Sequence, residues 1–185
     1  MTIMRWPIIV LSVLLFLSLS INVLQGRRVL SLEDSAANSP GDSTAPPDST
    51  VPPFEVSDLS GVSYPIEYDG RGLPKVLYIF SPSCSWCVRN TNAANSLKAQ
   101  ISTRYEVIGL SLQRDRLPDF LKHHQLDFSV YTGLSEATRV AYRLGPTPTT
   151  IVVAADGTVL KSWTGAYVGA TKSLVESYFG IHLPD

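Results

Sequence analysis

The sequence predicts an α/β fold, with a central β-sheet flanked by helices, preceded by one amino-terminal transmembrane helix. Short apolar runs alternate with helical patterns from Phe54 onward, a single long apolar run precedes them, and both cysteines lie at one strand-to-helix junction. The 185 residues are enough for one domain with additional targeting or linking segments. A net charge of −1, with scattered Lys and Arg residues, argues against nucleic-acid binding.

The amino-terminal segment 1–28 reads as a membrane signal-anchor. Pro7–Leu24 is uncharged and almost wholly apolar, with Arg5 before it and Arg27 and Arg28 after it. Eighteen helical residues cover roughly 27 Å, close to the hydrocarbon thickness of a thin bilayer, whereas a cleavable signal core has only about 7 to 15 residues. The alternative is a removed signal peptide, but its small-residue candidate, Ser18-Leu19-Ser20, lies inside the apolar run. Length therefore favours an uncleaved anchor.

Residues 29–53 read as a disordered tether rich in Pro and Ser. From 33 to 53 the chain consists mainly of Ser, Pro, Asp and Ala, with almost no large apolar side chain. Such a segment cannot bury enough surface to offset the entropy lost on ordering. We therefore place the folded domain at 54–185.

Within this domain, apolar patterns define the elements. A buried strand at 76–80 is followed by a helix at 88–101, and a second buried strand at 107–112 completes a strand-helix-strand unit. Further segments are helices at 117–124, 135–142 and 170–179, strands at 149–153 and 159–163 around the hairpin signal Asp156-Gly157, and an early hairpin at 54–56 and 62–68.

Cys84-Ser85-Trp86-Cys87 carries the chemistry. The spacing places two sulfurs about one helical turn apart at the predicted start of a helix, where backbone N–H groups favour negative charge and lower the pKa of the first thiol. Cys84 is therefore the expected attacking sulfur. Cys87 would resolve the mixed disulfide with a substrate, leaving a Cys84–Cys87 disulfide.

Other uses of two cysteines at this spacing fit less well. Haem attachment needs His directly after the second cysteine, where Val88 stands. A structural zinc site needs four ligands, and no second cysteine pair exists. Copper(I) suits two thiolates, but Met1 and Met4 precede the anchor and no His lies near the pair. We expect no bound metal, and a copper-handling protein or an inert pair that braces a turn remains as an alternative.

Three motifs carry a resemblance to a known family. These are the stretches 80–87 (FSPSCSWC) and 145–150 (GPTPTT), together with 156–158 (DGT) and 163–165 (WTG). In order and spacing they resemble the bacterial TlpA/ResA-type branch of the thioredoxin superfamily over residues 54–182. The resemblance implies a thioredoxin-like fold with a central mixed sheet, and makes Pro148 a cis-proline facing the cysteines. Thr147 before it would line the substrate groove, and Trp86 would face the substrate or pack over the motif.

The resemblance also implies the activity and its setting. It indicates a thiol-disulfide oxidoreductase without a dissociable cofactor, single-pass in the bacterial inner membrane, with its domain facing the periplasm. The partners would be extracytoplasmic thiol or disulfide proteins, including apocytochromes in cytochrome c maturation, and a membrane electron donor or acceptor. The alternatives are a non-enzymatic thioredoxin-like binding module and, more remotely, a peroxidase, for which Pro82 lies too close to Cys84.

The sequence departs from the family at two positions. Asn90 stands three residues after Cys87, where many members carry an acidic residue, and Tyr78 stands six before Cys84, where thioredoxins carry a buried Asp. A carboxylate there would take up the proton of the resolving thiol, and neither side chain present can do so at neutral pH. The departure concerns how Cys87 is activated.

Overall fold

A computed structural model describes residues 44–184 of the chain. The strands are β1 (Phe54–Ser57), β2 (Ser63–Ile66), β3 (Lys75–Phe80), β4 (Glu106–Ser111), β5 (Ser129–Tyr131), β6 (Thr149–Val153) and β7 (Val159–Thr164). The helices are α1 (Ser85–Arg89), α2 (Thr91–Ile101), α3 (Leu117–His123), α4 (Glu136–Ala141) and α5 (Gly169–Phe179). The predicted α/β fold class is confirmed.

The central sheet is mixed. Its strand order is β5-β4-β3-β6-β7, with β3, β4 and β5 parallel to one another and β6 antiparallel to both of its neighbours. The parallel pair β3–β4 is joined through α1 and α2, as parallel strands need a crossover connection. In the antiparallel pair, Ile79 lies opposite Thr149, so the end of β3 lies beside the start of β6. This pairing positions the site.

Each face of the sheet has its own hydrophobic cluster. Val76, Tyr78 and Phe80 of β3 share one cluster with buried residues of α2, α3 and α5. The alternate residues Leu77 and Ile79 belong to the other cluster, which the β1–β2 hairpin and the segment before it also join. Side chains of successive strand residues point to opposite faces, so a fully buried strand is apolar throughout. Both faces of β3 are therefore covered.

Two elements differ from the sequence prediction. The helix predicted at 88–101 begins earlier and is divided at Asn90, which ends α1 and precedes α2. The Asn90 side chain does not cap α2, because it bonds to two other segments of the domain. The strand β5 was not predicted, since three residues, Ser129–Tyr131, are too few to show a period.

The predicted tether is wrong over residues 44–53. Ala45 and Val51 are buried, and backbone hydrogen bonds tie the segment to the domain. The Asp48 N–H donates to the Val159 carbonyl at 2.9 Å, and the Val159 N–H donates back to Ser49 at 2.8 Å. Composition missed this because the pairing is made by backbone groups, which side-chain polarity does not report.

The predicted anchor at 1–28 and residues 29–43 of the predicted tether lie outside the described residues, as does residue 185. Among the helices of residues 44–184, none has the length and apolar character needed to cross a membrane. The anchor therefore stays a prediction from the sequence.

Candidate active site

Cys84 lies where the chain leaves the central strand and enters a helix. It is the N-cap of α1, with extended backbone angles, and its sulfur accepts a hydrogen bond from the Cys87 N–H at 3.4 Å. The Cys84 N–H in turn donates to the Ser81 carbonyl at 3.0 Å, which fixes the turn after β3. The predicted strand–motif–helix arrangement is confirmed. Both cysteines are free thiols in the structure.

A second loop reaches Cys84 from the start of β6. The peptide bond between Thr147 and Pro148 is cis, as predicted. The Cys84 thiol donates a hydrogen bond to the Thr147 carbonyl oxygen at 3.3 Å. Because β3 and β6 are antiparallel, the end of one strand and the beginning of the other bring these loops together. Thr147 thus lies against the first cysteine, with the cis-proline directly after it.

The two thiols have opposite electrostatic surroundings. Partial burial disfavours the Cys84 thiolate, but hydrogen bonds from the side chains of Cys87 and Thr147, with those from the backbone of Cys87 and Trp86, together lower the pKa of Cys84. Cys87 is only 1% exposed, and burial raises its pKa to about 12. At neutral pH the nucleophilic thiolate therefore forms at Cys84, while Cys87 stays protonated.

A buried polar cluster that was not predicted from the sequence lies behind Cys87. Asn90 is 3% exposed, and its amide nitrogen donates to the Tyr78 hydroxyl at 3.2 Å. Its amide oxygen accepts from the Tyr167 N–H at 2.7 Å, and the Tyr167 hydroxyl bonds to Thr150 at 2.6 Å. Burial raises the pKa of both tyrosines above the ordinary range, so the phenols stay neutral. No local signal in the sequence marked Tyr167 for this role.

In front of Cys84 the surface is open and largely apolar. Trp86 is 48% exposed and lines a groove of about 200 Å³ that also contains Thr147 and Pro148. The opposite wall comes from the loop after β7 and the start of α5, which contribute Gly165, Ala166, Val168 and Thr171. Arg89 lies over the Trp86 ring, 5.1 Å from its centroid. Trp86 and Thr147, the two residues predicted to face a substrate, therefore line one groove together with Pro148.

The described residues offer few donors for a metal ion. Within 44–184, no group of three or more His, Cys, Asp and Glu side chains is placed to hold one. His123 and His124 lie at the end of α3, on a part of the fold distinct from the motif.

The fold and the site together define a thioredoxin-like domain, and the comparisons with solved structures agree with that class. The structure is similar to a protein assigned as the thiol:disulfide interchange protein DsbE of Chlorobium tepidum (18% identity, 74% of this chain and 98% of that one, TM-score 0.63). It is also similar to StoA from Bacillus subtilis (19% identity, 69% and 98%, TM-score 0.55).

A third similar structure is a secreted disulfide oxidoreductase of Mycobacterium tuberculosis, described as homologous to E. coli DsbE (18% identity, 69% and 94%, TM-score 0.55). No protein-family model and no curated protein matches the chain in sequence. At these identities the similarity establishes the thioredoxin-like fold.

Proposed function

We propose that this chain is a thiol-disulfide oxidoreductase that exchanges disulfides with protein cysteines through Cys84 and Cys87. The observation that carries the proposal is the Cys84 sulfur, a half-buried thiol of lowered pKa within 3.3 Å of the Thr147 carbonyl beside the cis-proline. A thiolate beside an open groove, with a second thiol one turn behind it, is the arrangement that disulfide exchange requires.

The exchange follows from this geometry. The Cys84 thiolate attacks a substrate disulfide, forming a bond between its sulfur and one substrate sulfur while the other substrate sulfur leaves as a thiolate. Attack by a deprotonated Cys87 on the Cys84 sulfur would then release the substrate and close the Cys84–Cys87 disulfide. In the opposite direction, a substrate thiolate attacks the closed disulfide at Cys84 and Cys87 leaves.

The groove gives the substrate a place to bind. An extended substrate segment beside Thr147 would pair with its backbone in strand-like fashion. Recognition would then depend on the main chain of the substrate. The exposed Trp86 adds aromatic contact area without charge. Both features suit a protein segment around a cysteine better than a small charged thiol.

The setting that we propose is the outer face of a bacterial inner membrane. Support comes from the apolar run Pro7–Leu24, from a Cys-x-x-Cys pair suited to disulfide exchange, and from a secreted structural neighbour. Substrates would be exported proteins with cysteine pairs, including apocytochromes, and a membrane protein would supply or accept electrons. Protease digestion of intact spheroplasts tests this: a domain that stays protected until the membrane is lysed would contradict it.

The decisive test is the reduction potential of the Cys84–Cys87 couple in the full-length chain, equilibrated against glutathione or dithiothreitol. A reversible couple between about −270 mV and about −120 mV supports the proposal, the lower end indicating a reductant and the upper end an oxidant. Cys84→Ser and Cys87→Ser variants serve as controls and should show no internal couple. Absence of a reversible couple in the wild type would favour a non-enzymatic binding module, and copper retained through purification would favour metal handling.

A further inference from the structure

A mixed disulfide between Cys84 and a substrate can be resolved by two routes, which differ in whether Cys87 must lose its proton. This point rests on the exchange activity proposed above. In the first route, Cys87 loses its proton and attacks the Cys84 sulfur, forming the internal disulfide and releasing the substrate as a thiolate. In the second, another thiolate of the substrate attacks the bonded substrate sulfur, forming a new substrate disulfide and releasing the Cys84 thiolate. Only the first route requires deprotonation of a buried thiol.

The described neighbours with the largest influence on Cys87 include no strong base for that proton. Apart from its burial, the groups with the largest influence on the pKa of Cys87 are the Ser81 backbone, Thr147 and Cys84, and none is a carboxylate. Burial is the largest cause of the raised pKa of Cys87 and persists when Cys84 is bonded to a substrate, so the Cys87 thiol stays mostly protonated at pH 7 in the mixed disulfide. The first route is therefore slow unless a base assists it.

The Asn90 amide belongs to the buried polar cluster beside Cys87. Asn90 follows Cys87 by three residues, at the end of α1, and it bonds to the Tyr78 hydroxyl, which lies close enough to Cys87 for Cys87 to raise the pKa of that phenol. Its nitrogen donates to the Tyr78 hydroxyl and its oxygen accepts from the Tyr167 N–H, so both ends of the amide are held. An amide does not take up a proton at neutral pH.

We propose that Asn90 is a positioning residue that keeps the buried side of the site uncharged, so that a second substrate thiol, rather than Cys87, releases the mixed disulfide from Cys84. The substrates this favours are proteins in which a bonded cysteine lies near another thiol, and the net reaction is rearrangement of their disulfides. No external oxidant or reductant is consumed, because each exchange returns the Cys84 thiolate.

The Asn90→Asp variant tests the proposal by supplying the missing base in the same space. One carboxylate oxygen can still accept from the Tyr167 N–H and the other can accept from the Tyr78 hydroxyl, which favours the ionised form. The reduced full-length chain is mixed with oxidised glutathione, quenched with acid at intervals and analysed by mass spectrometry. We expect the Cys84–glutathione adduct to accumulate in the wild type and to decay at least about tenfold faster in Asn90→Asp.

The pH profile separates this role from a structural one. The titratable groups that face Cys87 are Cys84 on the motif and the Tyr78 phenol on β3, which is joined through Asn90 to the loop at Tyr167. Wild-type adduct decay should rise about tenfold per pH unit between pH 6 and 9, because the Cys87 thiolate is the attacking species. In Asn90→Asp the profile should flatten once the new carboxylate is ionised.

The matched control is Asn92→Asp, which adds the same charge at an exposed position two residues away and should behave as the wild type. Rapid closure of the internal disulfide in the wild type, without adduct, would overturn the proposal. So would equal decay rates in the wild type and Asn90→Asp across the pH range. A wild type that forms no adduct and no internal disulfide would instead overturn the exchange activity itself.

Discussion

The two sides of the Cys84–Cys87 motif differ in the exposure of their residues and in the pKa of their thiols. On the groove side, Cys84 is half-buried beside the Thr147 carbonyl, and the neighbouring Trp86 is exposed. On the inner side, Cys87 and Asn90 are almost fully buried in hydrogen-bonded surroundings that lack a charged group among their described partners. The difference shows how two identical residues, one helical turn apart, take up different chemical roles through their neighbours.

The two sides also contribute differently to the fold and to the reaction with a substrate. On the groove side Trp86 is exposed, and the Gly165 N–H donates to the Pro148 carbonyl at 2.8 Å across the groove wall. The inner side links β3, the α1–α2 junction and the loop after β7 through the three hydrogen-bonding residues Tyr78, Asn90 and Tyr167. Substitutions in front of the motif should therefore change reactions with substrates, and those behind it should change stability and the resolving step.

Selective alkylation should show the largest contrast. The pKa of Cys84 is lowered below the usual thiol value of 9.0, while that of Cys87 is raised to about 12. At pH 7 the thiolate fractions should therefore differ by at least about 10³-fold, and burial protects Cys87 further. Limited treatment of the reduced chain with iodoacetamide, followed by peptide mass spectrometry, should find the label on Cys84. Comparable labelling of both cysteines would contradict the asymmetry.

Asn90→Ala should destabilise the fold by about 2 to 3 kcal/mol, because the variant removes two buried hydrogen bonds and leaves the Tyr167 N–H without its acceptor. Urea denaturation measures the loss. The matched variant Asn92→Ala, at an exposed position on the same helix, should change stability by less than about 0.5 kcal/mol. Equal effects of the two substitutions would show that the inner network does not stabilise the domain.

The groove side was largely predictable from the sequence, and the inner side was not. Cys84, Trp86 and Cys87 are contiguous, and the strand before them has a pattern that predicts its burial. The position of Pro148 followed from the resemblance to a family rather than from a physical signal. The hydrophobic pattern thus predicted where the cysteine motif lies, and the order of the family motifs predicted which loop faces it.

The inner network depends on contacts between residues that are distant in sequence. Asn90 bonds to Tyr78, 12 positions away, and to Tyr167, 77 positions away. The sequence marked Asn90 and Tyr78 separately as departures from the family, but no periodicity indicates that they touch. Residues 44–53 were misread for a related reason, since their backbone pairs with the turn and start of β7 while their composition resembles a linker.

The pH dependence of stability should differ in sign between the two cysteines. The folded pKa of Cys87 lies above its unfolded value, so its contribution is complete below pH 9 and is lost at about 1.4 kcal/mol per unit as pH rises towards 12. The folded pKa of Cys84 is lowered, so its contribution is present above the unfolded pKa and is lost as pH falls through the folded one.

Urea denaturation of the reduced chain at pH 8, 9 and 10 checks both signs. Above pH 9 the wild type should lose stability relative to Cys87→Ala. The comparison with this variant cancels the contribution of the tyrosines, which titrate in the same range in both proteins. Relative to Cys84→Ala, the wild type should gain stability as pH rises towards the ordinary thiol range. Parallel pH profiles for the wild type and both variants would mean that folding shifts the pKa of neither thiol.

Trp86→Ala should have the smallest effect, confined to the groove side. An aromatic contact of this kind contributes about 0.5 to 1.5 kcal/mol, so exchange with a peptide disulfide flanked by apolar residues should slow by about three- to tenfold. Exchange with oxidised glutathione, which is charged and carries no apolar side chain to pack on the Trp86 ring, should hardly change, and neither should the free energy of unfolding. Val140→Ala, at a residue 67% exposed on α4, is the control for removing an exposed apolar side chain. If Trp86→Ala slows both substrates equally and lowers stability, the ring packs over the motif, and the groove side shares the structural role of the inner side.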